Sequence, residues 1–155
     1  MDLLVKLYTL PPGPEPLPPG VTLRRALAPE APAILPWIAA RFGDGWQAEA
    51  AAALSACPAR LYLAHRDDGT LLGFACHDVT ARGLFGPTGV DAAARGTGIG
   101  TALLLAALRA MAADGYAYAV IGGAGPVDFY RRAVGAIPIP DSEPGLYRGL
   151  LRPPG

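Results

Sequence analysis

Apolar and polar positions alternate along residues 3–10, 21–26, 60–66 and 71–79, the two-residue period of strands with one face buried. Asp67-Asp68-Gly69 joins the last two of these and predicts a hairpin turn. A second turn at Ala81-Arg82-Gly83 leads into a strand over residues 84–90. Residues 32–42 and 46–56 carry their apolar side chains at helical spacing, with Gly43-Asp44-Gly45 between them and Pro58 as the stop. After a loop over residues 91–100, a strongly apolar helix runs to Ala113 and closes at Asp114-Gly115. Residues 116–121 are too continuously apolar for a half-exposed strand, which places them centrally in a sheet. Gly122-Gly123-Ala124-Gly125-Pro126 breaks the pattern, and a short helix over 127–134 and a last strand over 146–151 follow. Hairpins first and a strand–helix–strand unit afterwards predict an α+β fold: a mixed sheet with helices packed on it.

Composition sharpens this picture. The chain has 155 residues, 52% of them hydrophobic, enough for one domain with a real core. Its 20 Gly and 17 Pro approach the levels of disordered chains, but six of the prolines lie between Pro11 and Pro19. That stretch reads as a stiff extended connector, with a partner-docking proline motif as the less favoured alternative. The expected organisation is therefore a strand and connector over residues 1–20 ahead of a domain over residues 21–155. Thirteen basic side chains balance 13 acidic ones, which argues against an electrostatic grip on nucleic acid. Cys57, Cys76, His65 and His77 lack metal-finger spacing, so small thiols and ordinary strand-end histidines are expected rather than a zinc site. The start of the chain does not read as a signal peptide, and the longest apolar helix is too short to span a bilayer. A soluble cytoplasmic domain, with no membrane partner, is the expectation.

The candidate chemistry lies in Arg95-Gly96-Thr97-Gly98-Ile99-Gly100-Thr101, between a strand and a helix. Alternating glycines let backbone approach a ligand closely, and the first turn of a helix offers unpaired N–H donors and a partial positive charge to a pyrophosphate. Arg95 adds a guanidinium. The dinucleotide pattern G-x-G-x-x-G fails because Thr101 stands at its third glycine, and the Walker pattern fails because no Lys-Ser or Lys-Thr follows. A phosphate loop of another kind remains.

The run from Val90 to Leu104 resembles the acetyl-coenzyme A loop of the GNAT N-acetyltransferases, with Arg95, Gly98 and Gly100 in the motif's fixed places. Asp128-Phe129-Tyr130-Arg131-Arg132-Ala133-Val134-Gly135-Ala136 is similar to the family's second signature, a helix bearing Phe-Tyr. The resemblance implies a mostly antiparallel central sheet flanked by helices on both faces, and acetyl transfer from acetyl-CoA to a primary amine by direct attack on the thioester. It implies no metal. Under it, backbone of the strand ending at Val90 pairs with the pantetheine arm. Arg95, Gly96, Thr97, Gly98, Ile99, Gly100 and Thr101 cradle the pyrophosphate, and Tyr130 protonates the departing thiolate. Tyr130 also reads as a plain packing residue beside Phe129. Gly123 stands about where many members carry Asn, and Tyr130 to Gly135 is one residue longer than the usual spacing. Gly86-Pro87-Thr88-Gly89, which sits badly in a regular strand, predicts a bulge; the resemblance makes it the point where strands splay to admit the cofactor arm.

The acceptor amine must lose a proton. Asp78 is the leading candidate base, with a turn-capping role as its alternative. His77 and Asp91 follow, and loss to water without a dedicated base stays open. Trp46, Phe85 and Thr88 are the candidates for contact with the acceptor, while Trp37 and Phe42 lean to core. The acceptor itself is not identifiable, nor is the oligomeric state, where a homodimer is open. The competing class is a non-catalytic acyl-CoA-binding sensor or accessory module, which keeps the phosphate loop and needs no working Tyr130.

Overall fold

A computed structural model describes all residues, 1–155. Seven strands form one sheet: β1 (Leu3–Lys6), β2 (Val21–Arg25), β3 (Leu61–Arg66), β4 (Leu71–His77), β5 (Leu84–Val90), β6 (Tyr118–Ile121) and β7 (Ile137–Pro138). Their spatial order is β2-β3-β4-β5-β6-β1-β7, and every neighbouring pair is antiparallel except β5 with β6. Four helices pack on it: α1 (Ala31–Phe42), α2 (Asp44–Leu54), α3 (Ile99–Ala113) and α4 (Val127–Val134). This is the expected α+β class with a mostly antiparallel sheet. No helix is long and apolar enough to cross a membrane.

The alternation along β4, interrupted once at Leu72 where the register against β3 shifts, divides the core. Phe74 and Cys76 join Ile34, Ile38, Ala53 and Leu54 of α1 and α2 on one face. Leu72 and Ala75 join Leu103, Leu104, Leu108 and Met111 of α3 on the other, with Tyr130 and Val134 of α4. Each fully buried Leu or Met there contributes about 1.5–3 kcal/mol relative to exposure. Cys76 and His77 point to opposite faces, Cys57 lines the same cleft as His77, and no group of three or more His, Cys, Asp or Glu side chains is arranged to hold a metal ion.

Three expectations need correction. The first strand is not an appendage ahead of a domain beginning at residue 21: β1 lies inside the sheet, paired with β6 along Leu3 to Lys6 and with β7 at Leu3 and Leu4. The proline segment after it lies against α3, where Arg109 donates to Pro11 O (2.8 Å) and meets Glu15 (3.4 Å). The final strand over 146–151 does not form, since only a single tight turn, Gly145–Tyr147, stands there. The last strand is instead the two-residue β7, placed at the sheet edge, where the missing N–H of Pro138 leaves no ladder bond unmade. The strand expected from residue 116 starts at Tyr118, because Tyr116 N–H still donates to Met111 O of the preceding helix (3.2 Å).

Candidate active site

The loop after β5 begins with a local cap. Asp91 Oδ1 accepts from Ala93 N–H (3.0 Å), tightening residues 92–94 into one short turn, and Thr97 Oγ1 donates to Ala94 O (2.6 Å). Gly98 then takes the N-cap position of α3 at φ 88°, a left-handed conformation that side chains with a Cβ resist. The first helical bond from outside is Ala102 N–H to Gly98 O (3.1 Å). The N–H groups of Ile99, Gly100 and Thr101 therefore have no acceptor within the helix, and those of Gly96, Thr97 and Gly98 precede it without one. Six consecutive backbone donors without a protein acceptor thus lie at the positive end of a 15-residue helix. All seven of Arg95 to Thr101 belong to this loop and helix end, as the sequence suggested. Arg95 folds back along it, its Nε donating to Val90 O (3.2 Å).

Beside this loop, β5 has an open edge. Its parallel pairing with β6 covers only Leu84 with Val120 and Phe85 with Ile121. Beyond Phe85 the register against β4 shifts: two steps of β4, from Ala75 to His77, face three steps of β5, from Thr88 to Phe85. The extra residue is the bulge expected within Gly86-Pro87-Thr88-Gly89. Asp91 N–H donates to Leu72 O (2.8 Å), which sets the phase of the β4–β5 ladder. By the antiparallel alternation, Thr88 and Val90 then turn their backbone groups away from β4, toward the side that β6 has left. The result is a slot with strand backbone left unpaired by β6 on one wall, the Val90 carbonyl there accepting from Arg95, and the N-terminus of α3 at its end.

Tyr130 stands where the slot begins. Its ring packs edge-on to Phe85, the last β5 residue paired with β6 (6.4 Å, 72°), and to Phe129 (5.0 Å, 68°). The side chain is buried, and burial pushes the phenol up to about 12. The molecule's fully buried unpaired polar atoms are both on His77, so the Tyr130 oxygen, which has no protein partner, reaches an accessible surface. Phe85 is itself core, in the α3-side cluster, rather than exposed to an incoming acceptor. Thr88 lies along the slot, and its hydroxyl donates to Phe74 O (3.1 Å).

The candidate bases fare differently. Asp78 is buried and turns the chain at φ 54°. Its Oδ1 accepts from Gly83 N–H (2.7 Å) and Tyr116 O–H (2.8 Å), and Arg60 lies 3.6 Å from Oδ2. It stands at the Leu84 end of β5, where its own N–H donates to Leu84 O, whereas the slot opens toward Val90. The chain thus brings Arg95 to Thr101, Val90, Thr88 and Tyr130 together and leaves Asp78 outside. Asp91 is close to the loop but pairs with Arg41 (2.9 Å); the Ala93 N–H and this guanidinium hold its carboxyl below the usual range. His77 faces a separate cleft at the C-terminal end of α3.

On the α1–α2 face the slot is bordered by aromatics. The Phe42 ring lies on Gly89, so closely that a Cβ there would stand 2.5 Å from Cζ. Trp46 stacks on Phe42 (5.1 Å, 26°) while remaining partly exposed, and Trp37 packs against Phe42 and under Arg41. Sequence reasoning missed a further polar group on this face: Glu49 Oε1 accepts from Thr80 Oγ1 (2.6 Å) and from Tyr147 O–H (2.7 Å). Tyr147 is 98 positions from Glu49, and no local pattern announces such a pair.

The Acetyltransferase (GNAT) family profile matches residues 31–136. A GCN5-related N-acetyltransferase from Sphaerobacter thermophilus is similar at 25% identity and a TM-score of 0.71, over 88% of this chain and 47% of its own. A GCN5-related N-acetyltransferase from Kribbella flavida is similar at 26% identity and a TM-score of 0.60, over 88% of this chain and 53% of its own. A tandem GNAT protein from the clavulanic acid biosynthesis pathway shares the fold at 19% identity and a TM-score of 0.59, over 88% and 49%. The chain spans about half the length of these solved structures. A search of curated proteins finds no match. The family profile covers more than half of the chain, so the chain belongs to the GNAT acetyltransferase family.

Proposed function

We propose that the chain is an acetyl-CoA-dependent N-acetyltransferase acting on a primary amine. The observation that carries this reading is the convergence of six unpaired N–H groups at α3 with the unpaired edge of β5. A nucleotide pyrophosphate suits the first, and the amide-bearing pantetheine arm, which pairs like a strand, suits the second. When bound, acetyl-CoA supplies an activated thioester carbonyl. The amine lone pair attacks that carbon, the C–S bond breaks toward sulfur, and the thiolate takes up one proton as the amine gives one up.

In this reading Tyr130, whose oxygen has no protein partner, meets the sulfur. A phenol near 12 stays protonated throughout, so it donates a hydrogen bond to the developing thiolate. Full transfer to a thiolate of ordinary pKa ~8.5 is uphill by roughly 5 kcal/mol, which makes solvent the final proton source. With the Asp78 carboxylate engaged at the other end of β5, the proton of the amine leaves through water. Trp46 and Phe42 form the acceptor-side wall.

Thiol release from acetyl-CoA, measured with a panel of primary amines, tests the reading. Turnover with at least one amine is expected. Tight acetyl-CoA binding without turnover on any of them would transfer support to a non-catalytic acyl-CoA-binding module.

A further inference from the structure

Away from the slot, the β4 strand ends in a side chain that the acyl-transfer reading does not use. His77 is 1% exposed, and neither of its ring nitrogens has a hydrogen-bond partner in the protein. A neutral imidazole carries one donor and one acceptor, and leaving both unmade in a buried place is costly. His77 is not sealed in apolar core, however. It lines a cleft of about 500 Å³ with Arg25, Arg60, Asp78, Asp114 and Tyr116. This cleft lies at the C-terminal end of α3, and the helix's 15 residues put about 22 Å between it and the phosphate loop. It shares no residue with the slot.

The lining has spare bonding capacity of both signs. Arg25 uses Nη1 on Ala59 O and Nη2 on Tyr62 Oη, leaving Nε. Arg60 uses Nη1 on Asp78 O, leaving Nε and Nη2 as a fork suited to a carboxylate. Asp78 Oδ2 has only the long Arg60 contact, and the exposed Asp114 makes no side-chain hydrogen bond or ion pair. Two guanidinium groups face two carboxylates. A simple anion entering the cleft meets Asp78 and Asp114, a simple cation meets Arg25 and Arg60, and only a ligand carrying both charges matches the wall.

We propose that this cleft is a binding site for a small zwitterion, a free amino acid or close analogue, held by Arg60 and Arg25 at its carboxylate and by Asp114 and Asp78 at its ammonium. His77 lies at the base of the site beneath these charged groups, where a bound zwitterion changes the surroundings of its ring without touching the buried nitrogens.

The chain has two histidines, so 15N-histidine labelling gives a readout of the site with its own control. His65 is already engaged, with Arg24 at Nε2 and Arg66 O at Nδ1. The full chain is titrated, without any acyl donor, with each of the common L-amino acids to about 10 mM, the range where millimolar affinities saturate. At least one is expected to move the His77 nitrogens saturably and leave His65 in place, while acetate and ethylamine do neither. Asp114→Asn and Arg60→Gln are each expected to weaken that binding about tenfold or more. The proposal is overturned if no amino acid moves His77, the outcome of a cleft holding water alone. It is equally overturned if acetate by itself produces the full shift, or if the shift survives both substitutions. Should Arg60→Gln fail to fold, Asp114→Asn decides the matter, because that carboxylate holds nothing else in the protein.

Discussion

The ring of Tyr130 stands edge-on to that of Phe85, with centroids 6.4 Å apart and planes at 72°. Phe85 is the last residue at which β5 still pairs with β6, so the contact ties the α4 helix to the point where the two strands part. Tyr130→Phe keeps both ring contacts and removes only the hydroxyl. The expected result is a fall in kcat of about 10²-fold with acetyl-CoA affinity unchanged, since a hydrogen bond to the developing thiolate acts in the transition state. Steady-state kinetics with a separate binding titration checks this; an unaltered kcat at every pH removes Tyr130 from the mechanism. Phe85→Ala, in contrast, leaves a cavity under the ring and is expected to cost about 3–5 kcal/mol of stability, read by urea denaturation.

Arg95 sits beside six free N–H groups, so its charge adds to a site that backbone has already built. Arg95→Gln is expected to weaken coenzyme A about tenfold, roughly 1.4 kcal/mol, and to lessen the salt dependence of binding. Pantetheine, which lacks the pyrophosphate, is the control. Its affinity stays the same in the variant if Arg95 addresses the phosphates, and falls in parallel if the substitution acts through the Val90 carbonyl instead.

How much of this was legible in the chain depends on the range of the signal. The bulge within Gly86-Pro87-Thr88-Gly89, the loop from Arg95 to Thr101 and the stop of α3 near Gly115 are written in adjacent residues, and each is found where the pattern placed it. The position of β1 was not legible: Leu3 pairs with Ile121 and Pro138, and no local periodicity carries that information. Asp78 illustrates the same limit at the level of a side chain. Its alternative reading as a turn-capping residue is the one its contacts match, yet those contacts come from Arg60, Gly83 and Tyr116 on separate segments. The last apolar run, residues 146–151, misled because hydrophobicity was present without a strand partner to pair with.

Gly89 is a close-approach position rather than a turn. A Cβ added there meets the Phe42 ring at 2.5–2.9 Å, and Phe42 in turn carries the stacked Trp46. Gly89→Ala is expected to push Phe42 aside, lower stability by about 1–3 kcal/mol and raise KM for the amine more than for acetyl-CoA. Tryptophan fluorescence reports the displaced Trp46 directly. A variant with wild-type emission and unchanged amine KM shows that this aromatic wall does not face the acceptor.

Acid should loosen the fold through His77. Burial, first of all, pulls its pKa from 6.5 down to about 4, with Arg25 and Arg60 acting in the same direction and Asp114 and Asp78 opposing them. The folded state therefore refuses a proton that the unfolded chain accepts between those two values. Stability rises with pH wherever the unfolded state binds more protons, so this contribution is complete above pH 6.5 and is lost as pH falls toward 4. Over that interval the loss amounts to roughly 3 kcal/mol. Urea denaturation of the wild-type chain at a series of pH values gives the slope. His77→Gln, which keeps a polar side chain at the site and removes the titration, is expected to flatten the slope between pH 4 and 6.5 while leaving the steeper carboxylate-driven loss below pH 4. A slope that His77→Gln does not change assigns the acid sensitivity to other groups.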